Sequence, residues 1–311
     1  MTTVKLSRRQ ALGAAAALPL AGGLATAAQA AAEMMGPTMA QANRVRLGAF
    51  EVTAILAGTR TVGDIQTTFG TNVSAEEFAE VSAANFIPAD RAQFFFTPTV
   101  VNTGAELILF DTGLDPEGIT GALTAAGYTP DQIDVVVLTH MHGDHIGGLG
   151  GGATFPNARY VTGQAEFDHW AMSGNEGFEA NVRPIAERME FLNDGGSVAS
   201  GITAMAAFGH TPGHMAYMLE SEGQRLAITA DAANHYVWSL AHPDWEVRFD
   251  MDKAGAAQTR RGLFGMLAAD AIPFIGYHMP FPAMGFVEAN AEGGFRYVPA
   301  SYQFMMDPVE G

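Results

Sequence analysis

The stretch Thr139-His140-Met141-His142-Gly143-Asp144-His145 constrains this chain more than any other. It places imidazoles at 140, 142 and 145 and a carboxylate at 144, directly after the apolar run Ile133-Asp134-Val135-Val136-Val137-Leu138. A short β-branched run of this kind reads as a strand buried on both faces. Polar chemistry collects where such a strand leaves its sheet. Gly143, Gly147 and Gly148 are expected to let the backbone bend so that neighbouring side chains converge. Neutral imidazole and carboxylate are the donor types that suit zinc and related divalent ions. A histidine-rich surface turn is the plainer alternative, and the buried strand in front of the cluster speaks against it.

The chain has 311 residues, 16% of them charged and 48% apolar, enough for a packed core and unlike a disordered chain. Residues 1–30 read as a targeting segment. Ser7-Arg8-Arg9-Gln10-Ala11-Leu12 carries paired arginines, a mild apolar stretch runs from Ala14 to Ala25, and Ala28-Gln29-Ala30 offers a small-residue cleavage site. This resembles a twin-arginine export signal cut after Ala30, which implies a periplasmic or secreted protein. Cleavage removes Lys5, Arg8 and Arg9 and no acid, so the formal charge moves from −17 to −20. Such an acidic protein repels phosphate backbones and anionic lipids, so neither nucleic acid nor membrane is expected as a partner. With no cysteine, histidine and aspartate are left as the strong metal donors.

Residues 31–44 read as a flexible lead-in, and 45–311 as one domain without an internal linker. Alternation from Arg46 to Leu56 predicts paired antiparallel strands. Thr59 to Asp90 lacks a clean period and reads either as an active-site loop or as a surface excursion. Strands are expected over Phe94–Val101, Glu106–Phe110 and Arg159–Val161. Helices are expected over Gly118–Ala126, Gln164–Met172 and Phe178–Leu192. In the second half, strands are expected near Ile202–Ala207, Met215–Glu220, Arg225–Thr229 and Ala271–Tyr277, with a helix over Lys253–Ala269 capped by Asp250 or Asp252. His210, Asp231 and His278 each follow one of these strands. Any one of them could be a cap or a satisfied core polar group. With the first cluster, however, they complete a donor set sufficient for two metals.

His-x-His-x-Asp-His followed by a lone His, a lone Asp and a final His resembles the metallo-β-lactamase superfamily. Val101-Asn102-Thr103-Gly104, Phe110-Asp111-Thr112-Gly113, Gly209-His210-Thr211-Pro212-Gly213-His214 and His278-Met279-Pro280-Phe281-Pro282 make the likeness strongest to the methyl parathion hydrolase group. It is weaker to acyl-homoserine lactonases. The resemblance implies an α+β fold, a four-layer αββα sandwich. It implies two divalent ions, zinc foremost: His140, His142 and His210 on one, Asp144, His145 and His278 on the other, and Asp231 bridging and orienting a hydroxide. Asp111 and His214 would support these ligands, and Asp144 would be a candidate proton shuttle. A homodimer is compatible with the family.

Paired metal ions acidify a bound water and polarise a substrate oxygen, so no serine or cysteine nucleophile is needed. The expected substrate is a small apolar ester or lactone, with phosphotriester cleavage as a side activity. A dedicated lactonase, a dedicated organophosphate hydrolase and a non-catalytic exported metal-binding protein are the alternatives. The expected substrate pocket contains Trp170, Asn234, Tyr236 and Phe281. The likeness departs from its relatives in a short loop between Gly113 and Ala122, and at Asn234, where lactonases usually carry tyrosine.

Overall fold

The computed structural model describes residues 34–306. The export segment read at 1–30 lies outside the described residues. Residues 34–41 carry no regular structure, and the first strand already begins at Ala42, inside the stretch expected as lead-in. No helix of the described residues is long and apolar enough to cross a membrane.

In chain order the first half contains β1 (Ala42–Leu47), β2 (Phe50–Ile55), β3 (Gly58–Gly63), α1 (Ala75–Ala84), β4 (Arg91–Phe96), β5 (Thr99–Asn102) and β6 (Leu107–Phe110). Then follow α2 (Pro116–Ala125), β7 (Val135–Leu138), α3 (Gly143–Ile146), β8 (Arg159–Gly163), α4 (Gln164–Ala171), α5 (Glu176–Asn181) and β9 (Met189–Leu192). The second half contains β10 (Ser197–Ala199), β11 (Ile202–Ala206), β12 (Met215–Ser221), β13 (Gln224–Ala230), α6 (Lys253–Ala269), β14 (Phe274–Gly276), β15 (Met284–Ala289) and β16 (Phe295–Pro299).

These strands form two seven-stranded sheets, β1-β2-β5-β6-β7-β8-β9 and β10 through β16 in sequence order. Period-two alternation explains how the layers stack. Val135 and Val137 of β7 join Val52, Ile108, Tyr217, Leu226 and Ile228 in a core between the sheets. Val136 and Leu138, on the opposite face, pack with Ile119 and Leu123 of α2 and with Trp170 and Phe178 of α4 and α5. On the far side α6 lays Phe264 against Phe274 of β14, ring centroids 5.3 Å apart. The result is the αββα sandwich, helix–sheet–sheet–helix.

Three sequence expectations change. The run Phe94–Val101 is two strands, because the chain turns at Thr97-Pro98 and β4 pairs with β3 while β5 enters the first sheet. The helix expected over Phe178–Leu192 ends at Asn181; Pro184 starts a separate 3-10 turn, and Met189–Leu192 joins the sheet edge beside β8. The tail, for which no strands were expected, supplies β15 and β16. Of the two candidate caps for α6, Asp252 takes the part, accepting from the Gly255 N–H at 3.0 Å.

Residues 58–96, ambiguous by sequence, are a built excursion. β3 and β4 form a two-stranded sheet of their own, and a third core holds it in place: Ile65, Phe69 and Phe78 with Val237, Trp238, Trp245 and Val247.

Candidate metal centre

The His140 motif lies where β7 leaves the first sheet and runs into the short helix α3. Close approach, rather than bending, explains its glycines. A Cβ on Gly147 or Gly148 would stand 2.0 Å from the carbonyl oxygen of Leu114 or Thr112. Only glycine at both positions lets α3 dock against the end of β6. Nothing lies within 4 Å of such a Cβ on Gly143, so the expectation that Gly143 serves convergence has no counterpart in the packing.

At the end of β6, Asp111 adopts a left-handed conformation (φ 60°), and Ala230 does the same (φ 44°) where a register shift ends β13 and aims Asp231. Left-handed backbone at a non-glycine residue is strained and persists where surrounding contacts impose it. Both instances sit next to the cluster.

The seven expected donors come together. His140 Nε2 lies 3.1 Å from His142 Nδ1, which lies 3.0 Å from His210 Nε2. Asp144 Oδ2 is 3.3 Å from His278 Nε2 and 3.8 Å from His145 Nε2. Between the two groups Asp231 reaches both: Oδ2 is 3.3 Å from His210 Nε2 and from His278 Nε2, and Oδ1 is 3.3 Å from His145 Nε2.

The outer ring nitrogens fix which way the lone pairs point. Asp111 Oδ2 accepts from the His145 Nδ1–H at 2.8 Å and from the Thr139 hydroxyl at 2.8 Å. Because that hydroxyl proton is committed, Thr139 Oγ1 accepts from the His140 Nδ1–H at 3.1 Å. His210 Nδ1–H donates to Asp250 Oδ1 at 2.8 Å, and His278 Nδ1–H to the Phe95 carbonyl at 2.8 Å. The inner nitrogens of His140, His145, His210 and His278 therefore face the centre as donors for a cation, held by the outer partners that metal sites require.

The clustered carboxylates and imidazoles set the protonation of these rings. Burial, then His210, takes His142 down to about 3, so it stays neutral. Burial also lowers His210, but Asp231 and Asp250 outweigh it and raise it to about 8. In His278 burial is again outweighed, by Asp231 and Asp144, and the ring rises to about 10. Burial would raise Asp144, yet His145 and His278 hold it at about 2. A proton on His210 relieves one of the close nitrogen contacts; a cation among the three nitrogens relieves all of them. His145 Nε2 and Asp231 Oδ1 are buried without a hydrogen-bond partner. Polar atoms so buried are normally satisfied. The residues fit divalent cations.

His214 accepts from the Asp231 N–H at 3.1 Å and donates to the Ala207 carbonyl at 3.1 Å, an arrangement that needs a neutral ring. Burial accordingly lowers it to about 3.

Three supporting residues escaped the sequence reading. Asp250, noted there only as a cap, holds His210 and is itself paired with buried Arg260. Arg260 shares the apolar stripe of α6 with Ala256, Phe264 and Leu267. An arginine on a buried stripe demands a carboxylate, and this was the available signal. Buried Glu166 joins the two histidine loops, accepting from the Met141 N–H (2.9 Å), the Trp170 indole (2.6 Å), the Thr211 hydroxyl (2.7 Å) and the Gly213 N–H (3.0 Å). Nothing in its sequence neighbourhood marks it.

The expected pocket residues separate. Asn234 lines a cavity of about 480 Å³ over the metal ligands and donates to Asp231 Oδ2 at 2.8 Å. Tyr236 lines a neighbouring cavity instead. Trp170 is not part of either wall: it is buried behind His142, rings edge-on at 5.7 Å, because its N–H is committed to Glu166. Phe281 lines neither cavity. The walls come from the excursion: Val62, Phe94 and Phe96 share the cavity with Leu114 and Phe249.

Residues 97–273 match the family described as Metallo-beta-lactamase superfamily. The chain belongs to that superfamily. Lactonases and other metal-dependent hydrolases recur among its relatives. N-acyl homoserine lactonase AttM of Agrobacterium fabrum is 29% identical over 142 residues, 42% of this chain and 50% of that protein. A Bacillus sp N-acyl homoserine lactonase is 27% identical over 120 residues, 38% of this chain and 46% of its own length. The match thus spans about half of these relatives. Among solved structures, the dizinc quorum-quenching lactonase AidC in complex with its product superposes with TM-score 0.78 at 24% identity, covering 84% of this chain and 98% of that one. The hydrolase AbOPH gives 0.79 at 23%, covering 86% and 100%. At these identities the likeness establishes the fold.

Proposed function

We propose that the protein is a two-metal hydrolase that opens a carboxylic ester or lactone bond in a small, largely apolar substrate. One observation carries the reading: Asp231 stands between two groups of inward-facing donors, each able to hold an ion. His140, His142 and His210 would hold one cation, Asp144, His145 and His278 the other, and Asp231 would touch both. Zinc suits this nitrogen- and oxygen-only set, and the name of the dizinc neighbour supports it.

Divalent ions at these positions supply an acidified water and a Lewis acid for the substrate oxygen. The chain supplies the rest. Asp111, Asp250 and the Phe95 carbonyl keep His145, His210 and His278 aimed. Phe94, Phe96, Leu114 and Phe249 exclude water around the acyl or aryl group. Asn234 directs an N–H at Asp231, while against its burial His278 and His145 hold that carboxylate well below its ordinary range. Asp144, at about 2, is a weak base and more plausible as a ligand than as a proton shuttle. Phosphotriester cleavage would be a side activity of the same site.

The test is turnover of aryl acetates, acyl-homoserine lactones and methyl parathion before and after chelation, alongside elemental analysis. Ester or lactone turnover that follows two bound ions and returns with added zinc is expected. Two bound ions with no turnover would instead favour a metal-binding role. Export is a separate proposal, and recovery of the protein cut after Ala30 from the periplasm or medium tests it.

A further inference from the structure

The metal cavity of this acidic chain carries two arginines that pair with no carboxylate among the described residues. Against 33 acidic residues the chain has 16 basic ones, so an arginine should find a carboxylate easily. Arg91, Arg159, Arg183, Arg225, Arg260, Arg261 and Arg296 do, and Arg44 and Arg188 donate to backbone carbonyls, while Arg46 lies on the outer sheet edge away from this cavity. Arg60 and Arg248 make neither an ion pair nor a side-chain hydrogen bond among the described residues, yet both line the cavity that holds His142, Asp144, Asp231 and His278.

Their placement is built. Strand alternation sets Arg60 on the cavity face of β3, opposite Phe94 of β4, whose ring meets His278 edge-on at 5.6 Å. Arg60 is therefore the cross-strand neighbour of a ring that meets His278. The Arg248 N–H donates to the Thr68 carbonyl at 2.8 Å next to the Phe69–Val247 bridge, which ties the two segments together. The Arg248 guanidinium lies over the Phe249 ring at 4.8 Å, partly ordered before any ligand arrives. The acids lining the cavity are Asp144 and Asp231, both turned toward the histidine cluster.

We propose that Arg60 and Arg248 bind a carboxylate on the substrate, distinct from the ester or lactone that is cleaved. Resting on the hydrolase reading above, this narrows the substrate class to an apolar ester or lactone bearing one further ionised acid. Guanidinium groups recognise carboxylates through paired N–H donors, and their partial exposure limits the gain to roughly fivefold for each arginine.

The metal-loaded enzyme is assayed on homoserine lactone acylated with adipic acid, whose free end is a carboxylate, and on the methyl ester of that compound. Wild type should prefer the carboxylate in kcat/KM, mainly through KM, and the preference should shrink with salt. In Arg60→Gln, Arg248→Gln and the double variant the ratio should fall stepwise toward one. Calorimetry with the ring-opened, non-hydrolysable butylamide of adipic acid supplies a readout free of turnover: it should bind wild type more tightly than the double variant. Equal kcat/KM for both lactones in wild type, or a preference and affinity indifferent to both arginines, overturns the assignment. If neither lactone is cleaved but the adipic amide still binds through the arginines, the hydrolase reading fails while the anion site stands.

Discussion

The two walls of the cavity over the donor cluster are built on different principles. On the ligand side every metal-facing histidine except His142 has its outer nitrogen held by a second group, and two of those groups are held in turn, Asp111 by two donors from Thr139 and Asp250 by Arg260. On the excursion side β3 and β4 pair only with each other, and they present exposed arginine and half-buried aromatic groups. A cation site tolerates little displacement of its donors, whereas a substrate wall must admit ligands and can be permissive. Under the proposed function, reactivity would reside in one wall and selectivity in the other.

Asp231→Asn attacks the ligand side most directly. Loss of one anionic bridge should lower kcat on every substrate on the order of 10³-fold, the several kcal/mol expected of metal activation. Metal content should fall with it. Retention of two ions and near-normal kcat would show that the bridging geometry is dispensable.

Arg260→Met tests whether support two contacts away from the metal matters. It strands the Asp250 carboxylate in the core, which should cost about 3–5 kcal/mol in unfolding free energy and weaken metal affinity roughly 10–100-fold through His210. Denaturant melts and a competitive chelator titration measure the two effects. A stability loss with unchanged metal affinity would confine Arg260 to the fold.

The finest distinction compares Trp170→Phe with Phe94→Ala. Removing the indole N–H leaves Glu166 with one donor fewer, so Trp170→Phe should reduce kcat/KM several-fold and equally for small and large acyl groups. Phe94→Ala should leave metal content intact and change the ranking of acyl chains. Steady-state kinetics over an acyl series decides; a changed ranking in Trp170→Phe would return that tryptophan to the substrate pocket.

Much of the ligand side was legible because its information is local. The strand into His140 announces itself by a β-branched run, and the histidines and aspartates sit at strand ends where side chains leave the sheet. Asp250 and Arg260 were half legible, as a cap candidate and as a charge on an apolar stripe, but their pairing joins residues from a loop and a helix. The excursion resisted reading because its strands do not enter a main sheet. Its hydrophobic residues are distributed over contacts with Val237, Trp238 and Val247, far along the chain. Trp170 misled because an aromatic residue beside a motif looks the same in sequence whether it faces ligand or a buried carboxylate.

By itself the sequence determined the donor set, and its motifs carried a resemblance that implied the superfamily and the layered sandwich, since donor types and motif spacings are properties of short segments. The tertiary structure decided how the two Asp231 oxygens divide between the donor groups, which carboxylates aim the imidazoles and which arginines line the cavity. Those depend on separations of a few ångström between residues far apart in the chain, such as His210 and Asp250 at 2.8 Å, and no local pattern encodes such distances.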